Sequence, residues 1–129
     1  MEQYLFERIT NNVVLQALLQ KSGGGYNVYV LNIPTGISFT RAIRITTINT
    51  ITRFPAINAV NVQIDIFAER HSDTVKIANA LYDMFNMETN VSGTDVNIVY
   101  SQRVDESDID YDEDDKLYHR QATYYFKIR

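Results

Sequence analysis

The chain has no cysteine and no tryptophan, and only two prolines and five glycines in 129 residues. Without cysteine there is no disulfide framework, no thiolate metal site and no cysteine nucleophile. None of these is needed for stability, because a chain of this length buries roughly two-thirds of the surface its unfolded form exposes. The length predicts a single domain over residues 1–129. No run approaches the roughly 18 apolar residues of a membrane span. The opening MEQYLFERITNN puts acids where a signal peptide has bases. These absences predict a soluble chain, made and used in a cytoplasm, with no membrane partner. Three of the glycines follow one another in Ser22-Gly23-Gly24-Gly25. A phosphate-cradling loop wants Lys-Ser/Thr after its glycines and a strand before them. Here a helical pattern precedes and Tyr26 follows, so the run reads as a connector.

Charge is unevenly placed. Between Asp105 and Asp115 eight of eleven residues are Asp or Glu, half of all the acids in the chain. Removing eight negative charges from the net charge of −4 leaves +4, so a mildly basic body carries one acidic loop. That loop, residues 105–116, is expected to be mobile.

The clearest pattern is Asn58 to Met87. Val60, Val62, Ile64 and Ile66 alternate with Asn61, Gln63 and Asp65, as a strand with one buried face requires. The period then changes: Val75, Ala78, Leu81, Tyr82 and Phe85 recur at helical spacing, with Ser72 and Asp73 as candidate N-caps. Residues 2–20 predict one amphipathic helix, with Leu5, Ile9, Val13 and Ala17 four apart and Phe6, Val14 and Leu18 widening the stripe. Strands are expected over 26–31, 42–52, 58–68, 95–104 and 116–128, with turns at Pro34-Thr35-Gly36, Arg53-Phe54-Pro55 and Asn90–Thr94. In the last strand Tyr118, Ala122, Tyr124, Phe126 and Ile128 oppose His119, Gln121, Thr123, Tyr125 and Lys127. The whole predicts an α+β fold in the order α-β-β-β-α-β-β: a mostly antiparallel sheet of about five strands, with two helices packed on one face.

Chemistry is sparse. His71 and His119 are the two histidines, and neither has a partner at metal or triad spacing. Ser101 and Ser107 lack a nearby base and nucleophile-elbow glycines. Asp108, Asp110 and Asp112 imitate the opening of a calcium loop and are the weak calcium or magnesium candidates. The sixth position, however, is Glu113 instead of glycine, and the twelfth is His119 instead of a bidentate Glu. The acidic run therefore reads as a solvated, self-repelling loop that awaits a partner. Arg41, Arg44 and Arg53 with Phe39 and Phe54 make a basic, aromatic patch without a nucleic-acid reading motif. No enzyme activity and no cofactor is expected.

The order of these pieces resembles the tail terminator (tail completion, tail-to-head joining) proteins of long-tailed bacteriophages. The resemblance rests on four stretches. They are the strand VNVQIDIFAER, the Ser72–Met87 helix with its D-x-x-K-I-A-x-A-L-Y-x-M run, the strand through SQRVDES, and the return strand LYHRQATYYFKIR. It implies a structural virion protein, an α+β subunit that closes into a ring, usually of six, on the finished tail tube. Such a ring stops tube growth and offers a surface to the head-completion or neck protein, and DNA passes through it without specific binding. It implies a place in the virion at the neck, after assembly in the host cytoplasm. The acidic hairpin departs from that pattern. The expected interface or lumen residues are Asp110, Asp112, Glu113, Asp114, Tyr111, Arg41, Arg53 and Phe54. A head-closure or other neck (head–tail connector) subunit fits the same resemblance, and a small ligand-binding α+β module is the alternative from another class.

Overall fold

The computed structural model describes residues 1–21, 24–53, 57–92 and 97–128. Three helices, α1 (Glu2–Thr10), α2 (Val13–Leu19) and α3 (His71–Phe85), accompany six strands: β1 (Val28–Val30), β2 (Arg41–Arg53), β3 (Ile57–Ala68), β4 (Thr89–Ser92), β5 (Asn97–Asp112) and β6 (Leu117–Ile128). The strands form one sheet in the order β1-β2-β3-β6-β5-β4. The β1–β2 pair is parallel and the other pairs are antiparallel. The expected α+β class, mostly antiparallel sheet and one helical face are all present.

One hydrophobic cluster lies between the helices and the sheet. Leu5 and Ile9 of α1, Leu15 and Leu19 of α2, and Ile77, Leu81 and Phe85 of α3 meet Ile43, Ile45, Val62, Ile64, Ile66, Tyr124 and Phe126 of the sheet. Phe85 contacts Tyr124 and Phe126 edge-on, at ring separations of 5.9 and 5.7 Å, an arrangement that aligns ring edges with ring faces. The expected alternation holds at Val60, Val62, Ile64 and Ile66 of β3 and at Ala122, Tyr124 and Phe126 of β6, while Asp65 on the other face of β3 is buried too and Tyr118 and Ile128 are half-buried.

The departures have local causes. The first helix is two helices. Asn12 adopts extended geometry and its side chain accepts the Leu15 N–H at 3.1 Å, because asparagine competes for backbone donors and favours caps over helix interiors. The break turns the stripe, so Leu15 and Leu19 are buried while Val13 is 78% exposed. In α3 the buried stripe is Thr74, Ile77, Ala78, Leu81 and Phe85, one position away from the expected Val75 and Tyr82. Neither Ser72 nor Asp73 caps it: the helix starts at His71, and no side chain bonds at its N-cap, Arg70.

The short strand β4, Thr89–Ser92, lies on the outer edge of β5 and takes in Asn90–Ser92, the start of the expected Asn90–Thr94 turn. Bulges also reset two strands. One between Thr47 and Asn49 in β2 places Asn49 opposite Asn61, away from the core. Bulges in β5 near Tyr100 and Val104 leave Ile98 and Ser101 as the buried residues and turn Val104 outward.

The largest difference concerns the acid run. Residues expected to form a mobile loop over 105–116 are strand as far as Asp112, and the turn takes only 113–116. Lys116 carries it with φ +57°. The acids are tolerated in β5 because β6 supplies a full antiparallel partner and, as shown below, cations for two of them. The expected turn at Arg53-Phe54-Pro55, the connector residues Ser22 and Gly23, and the expected strand residues 95–96 fall wholly or partly outside the described residues.

Candidate functional site: the open sheet face and the hairpin arm

The face of the sheet opposite the helices is polar, and its centre is Asp65. Asp65 sits in mid-strand on β3, paired in register with Arg44 of β2 and Gln121 of β6. Arg44 Nε and Nη2 donate to Asp65 Oδ2 at 3.2 and 3.0 Å. Gln63 Nε2 and Gln121 Nε2 also donate to the carboxylate, and His119 Nε2 lies 2.8 Å from Oδ1. These neighbours cover it fully, although no helix among the described residues lies over it. Burial pushes the carboxyl pKa up. Hydrogen bonds from His119, Gln63, Gln121 and Arg44 outweigh that and hold it well below the usual carboxylate range. Phe67 completes the cover: its ring stacks on His119 at 4.5 Å, and the Arg44 guanidinium lies over it at 5.5 Å. The arrangement is a rigid polar plate. Its central carboxylate is saturated with donors. An aspartate inside an otherwise apolar-alternating strand, where aspartate is disfavoured, was the signal available in the sequence; its partners were not legible there.

The second feature is the arm formed by β5 and β6. On the helix side, Arg120 donates to Asp108 at 2.7 Å and to Glu106 at 3.3 Å, and Arg103 donates to Glu106 at 2.6 Å. His71, at the start of α3, approaches Asp108 at 3.3 Å. Two of the eight acids are thus neutralised within the chain. Asp112 accepts the N–H groups of Asp114 and Asp115 at 2.9 and 3.1 Å, which closes the turn. Asp105, Asp110, Glu113, Asp114 and Asp115 face solvent.

The expected site residues therefore separate. Asp110, Asp112, Glu113 and Asp114 gather at the arm's tip, and the Tyr111 ring packs there at a tilt against Tyr118, at 4.7 Å between centroids. Asp110, Asp112 and Asp115 also border a shallow cavity of about 330 Å³ on the open face, with Phe67, Leu117 and His119. Arg41 is elsewhere and occupied: its Nε donates to the Leu18 carbonyl at 2.6 Å and its guanidinium lies 3.4 Å from Asp73, tying α2 and α3 to β2. The Arg53 side chain and Phe54 lie outside the described residues. Asp108, Asp110 and Asp112 do not converge on a metal position; no cluster of three or more acidic or histidine side chains suited to a metal occurs among the described residues. No helix among them is long and apolar enough to cross a membrane.

No family model matches the chain, and no curated protein matches it in sequence. Its fold does have solved counterparts. One is a chain in a structure described as the virion of a native gene transfer agent (GTA) particle, with a TM-score of 0.75 and 12% identity, covering 99% of this chain and 93% of that one. At that identity the likeness is one of fold.

Proposed function

We propose that this chain is a structural virion subunit without enzymatic activity, and that it is a tail terminator. In this role it forms a ring, of six copies, on the end of the tail tube and presents its other side to the neck of the head. DNA passes through the ring without specific binding. The observation that carries this reading is the end-to-end fold likeness to a virion chain, taken with the order of sequence pieces that resembles the terminator family. The surfaces suit it: a saturated polar plate and an arm edged with exposed acids are made for contact, not for turnover.

The arm's tip belongs to the rim or lumen in this arrangement. A DNA passage must not grip phosphates, since each neutralised phosphate adds affinity and slows sliding. Five solvent-facing acids per copy, repeated round a ring, repel the duplex instead.

The test is direct. Negative-stain images of the purified protein mixed with tail tubes should show rings on one tube end. Particles made without the protein should carry tails of uncontrolled length. Free tails of normal length would instead assign the chain to head closure or another neck position, and tubes left unbound would remove the terminator reading.

A further inference from the structure

Two of the long strands, β2 and β5, keep part of an outer edge uncovered among the described residues, at diagonally opposite corners of the sheet. On one side β1 covers β2 only as far as Ile45, whose carbonyl accepts the Leu31 N–H at 2.9 Å. On the other side, cover of β5 stops at Arg103, whose N–H donates to Asn86 Oδ1 at 3.0 Å. Beyond these points, among the described residues, nothing pairs with the outer edge of β2 from Thr46 to Arg53 or of β5 from Val104 to Asp112.

Register fixes how the two edges relate. Thr46, Gln63, Thr123 and Asp105 lie level across four strands. From that level the β2 edge runs one way and the β5 edge the other. Because β2, β3, β6 and β5 alternate in direction, a second copy in the same orientation presents its β2 antiparallel to the first copy's β5.

Both edges expose β-branched or aromatic residues: Ile48 and Ile51 on β2, Val104, Ile109 and Tyr111 on β5. Such edges invite another strand. Their charges choose which one. The β5 edge carries Asp105, Glu106, Asp108, Asp110 and Asp112, whereas residues 46–53 contain no acid. Like charges directly opposed destabilise a strand pair, so β5 cannot pair well with its own counterpart, and β2 meets no such barrier.

We propose that the free edge of β2 in one copy adds, antiparallel, to the free edge of β5 in the next, so that neighbouring copies share one continuous sheet. This rests on the ring reading above and names its contact. The contact is heterologous, the type that generates rings or filaments and not closed pairs. The geometry is suitable for closure. The centres of the two edges are about six residues apart in level, or ~20 Å at ~3.3 Å per residue. Four strands at ~4.8 Å spacing span ~19 Å. Stagger and width together tilt the strands by about 45°, the upper end of the range at which closed sheets settle.

A chain without cysteine makes the test clean. Ser107 and Ile51 both belong to the polar sheet face by register, opposite Gln121 and Ala59. The double variants S107C/I51C and S107C/N49C, the second allowing a two-residue slip, are assembled with tail tubes, mildly oxidised and run on a non-reducing gel. One of them should give a ladder of covalent multimers, while S107C and I51C alone stay monomeric. A covalent dimer from either single variant would mean like-with-like edges and overturn the proposal. Rings in the microscope without a ladder from either double variant would also overturn it, with the ring reading intact. A ladder without rings on tube ends would keep the contact and sink the terminator reading.

Discussion

Asp65 Oδ1 lies 2.8 Å from His119 Nε2, and the carboxylate is fully shielded on the side of the sheet that no described helix covers. Arg44, Gln63, His119 and Gln121 all bond to it there. Groups held in place in this way before any contact have little freedom left to lose on docking.

Removing the hub should be costly. Asp65→Ala leaves the Arg44 guanidinium and three further donors without their shared acceptor, and should lower unfolding free energy by about 3 kcal/mol, the lower end for breaking a buried pair since Arg44 is partly exposed. Asp65→Asn should lose less. Because the Asp65 pKa is depressed in the fold, its contribution is full above the unfolded carboxylate value of about 4 and is lost as pH falls through the folded value. The wild-type advantage over D65N in urea denaturation should therefore shrink below about pH 4. An advantage that grew there would contradict the network.

Tyr124 offers the opposite case. Its hydroxyl is buried and has no hydrogen-bond partner among the described residues, and burial, against weaker charge effects, raises its pKa. Tyr124→Phe keeps the ring against Phe85 and removes a desolvated polar atom. It should leave stability unchanged or raise it by up to ~1 kcal/mol. A loss of that size in thermal or urea unfolding would mean that the hydroxyl has a partner.

Asn12→Ala removes the side-chain cap of α2. The expected loss is about 1 kcal/mol, with no change in the sheet, readable as a lower urea midpoint at unchanged slope. A neutral result would show that packing of Leu15 and Leu19 alone holds the break.

The acids at the arm's tip should matter to the particle more than to the fold. Asp112 closes the turn, so it is left in place while Asp110, Glu113 and Asp114 become Ala. Unfolding of the purified variant should match wild type within ~0.5 kcal/mol, and DNA ejection or retention of packaged DNA should be slowed or weakened. Particles that form and eject normally would remove the acids from the lumen.

Period and composition were enough to place the long elements. The alternation of Val60 to Ile66 and of Ala122 to Phe126 reports which side of the strand meets the core, and in the helical run Ala78, Leu81 and Phe85 are buried as their spacing predicts while Val75 and Tyr82 are not. A one-residue insertion is invisible to such counting, so the bulges between Thr47 and Asn49 and between Arg103 and Asp105, which leave Asn49 and Val104 off the core, were not legible in it. Local chemistry also yielded to tertiary partners. Eight acids in eleven residues read as a loop by self-repulsion, yet Arg103, Arg120 and the β6 ladder hold most of them in a strand. The Asp65 plate was beyond reach for the same reason: Arg44, Asp65 and His119 are 21 and 54 residues apart in sequence, and only pairing of β2, β3 and β6 brings them together. Each element's own hydrophobic period sets which of its faces has to be buried. Which polar groups meet and which strand edges stay open follows from the assembled sheet, because both depend on neighbours that no local pattern encodes.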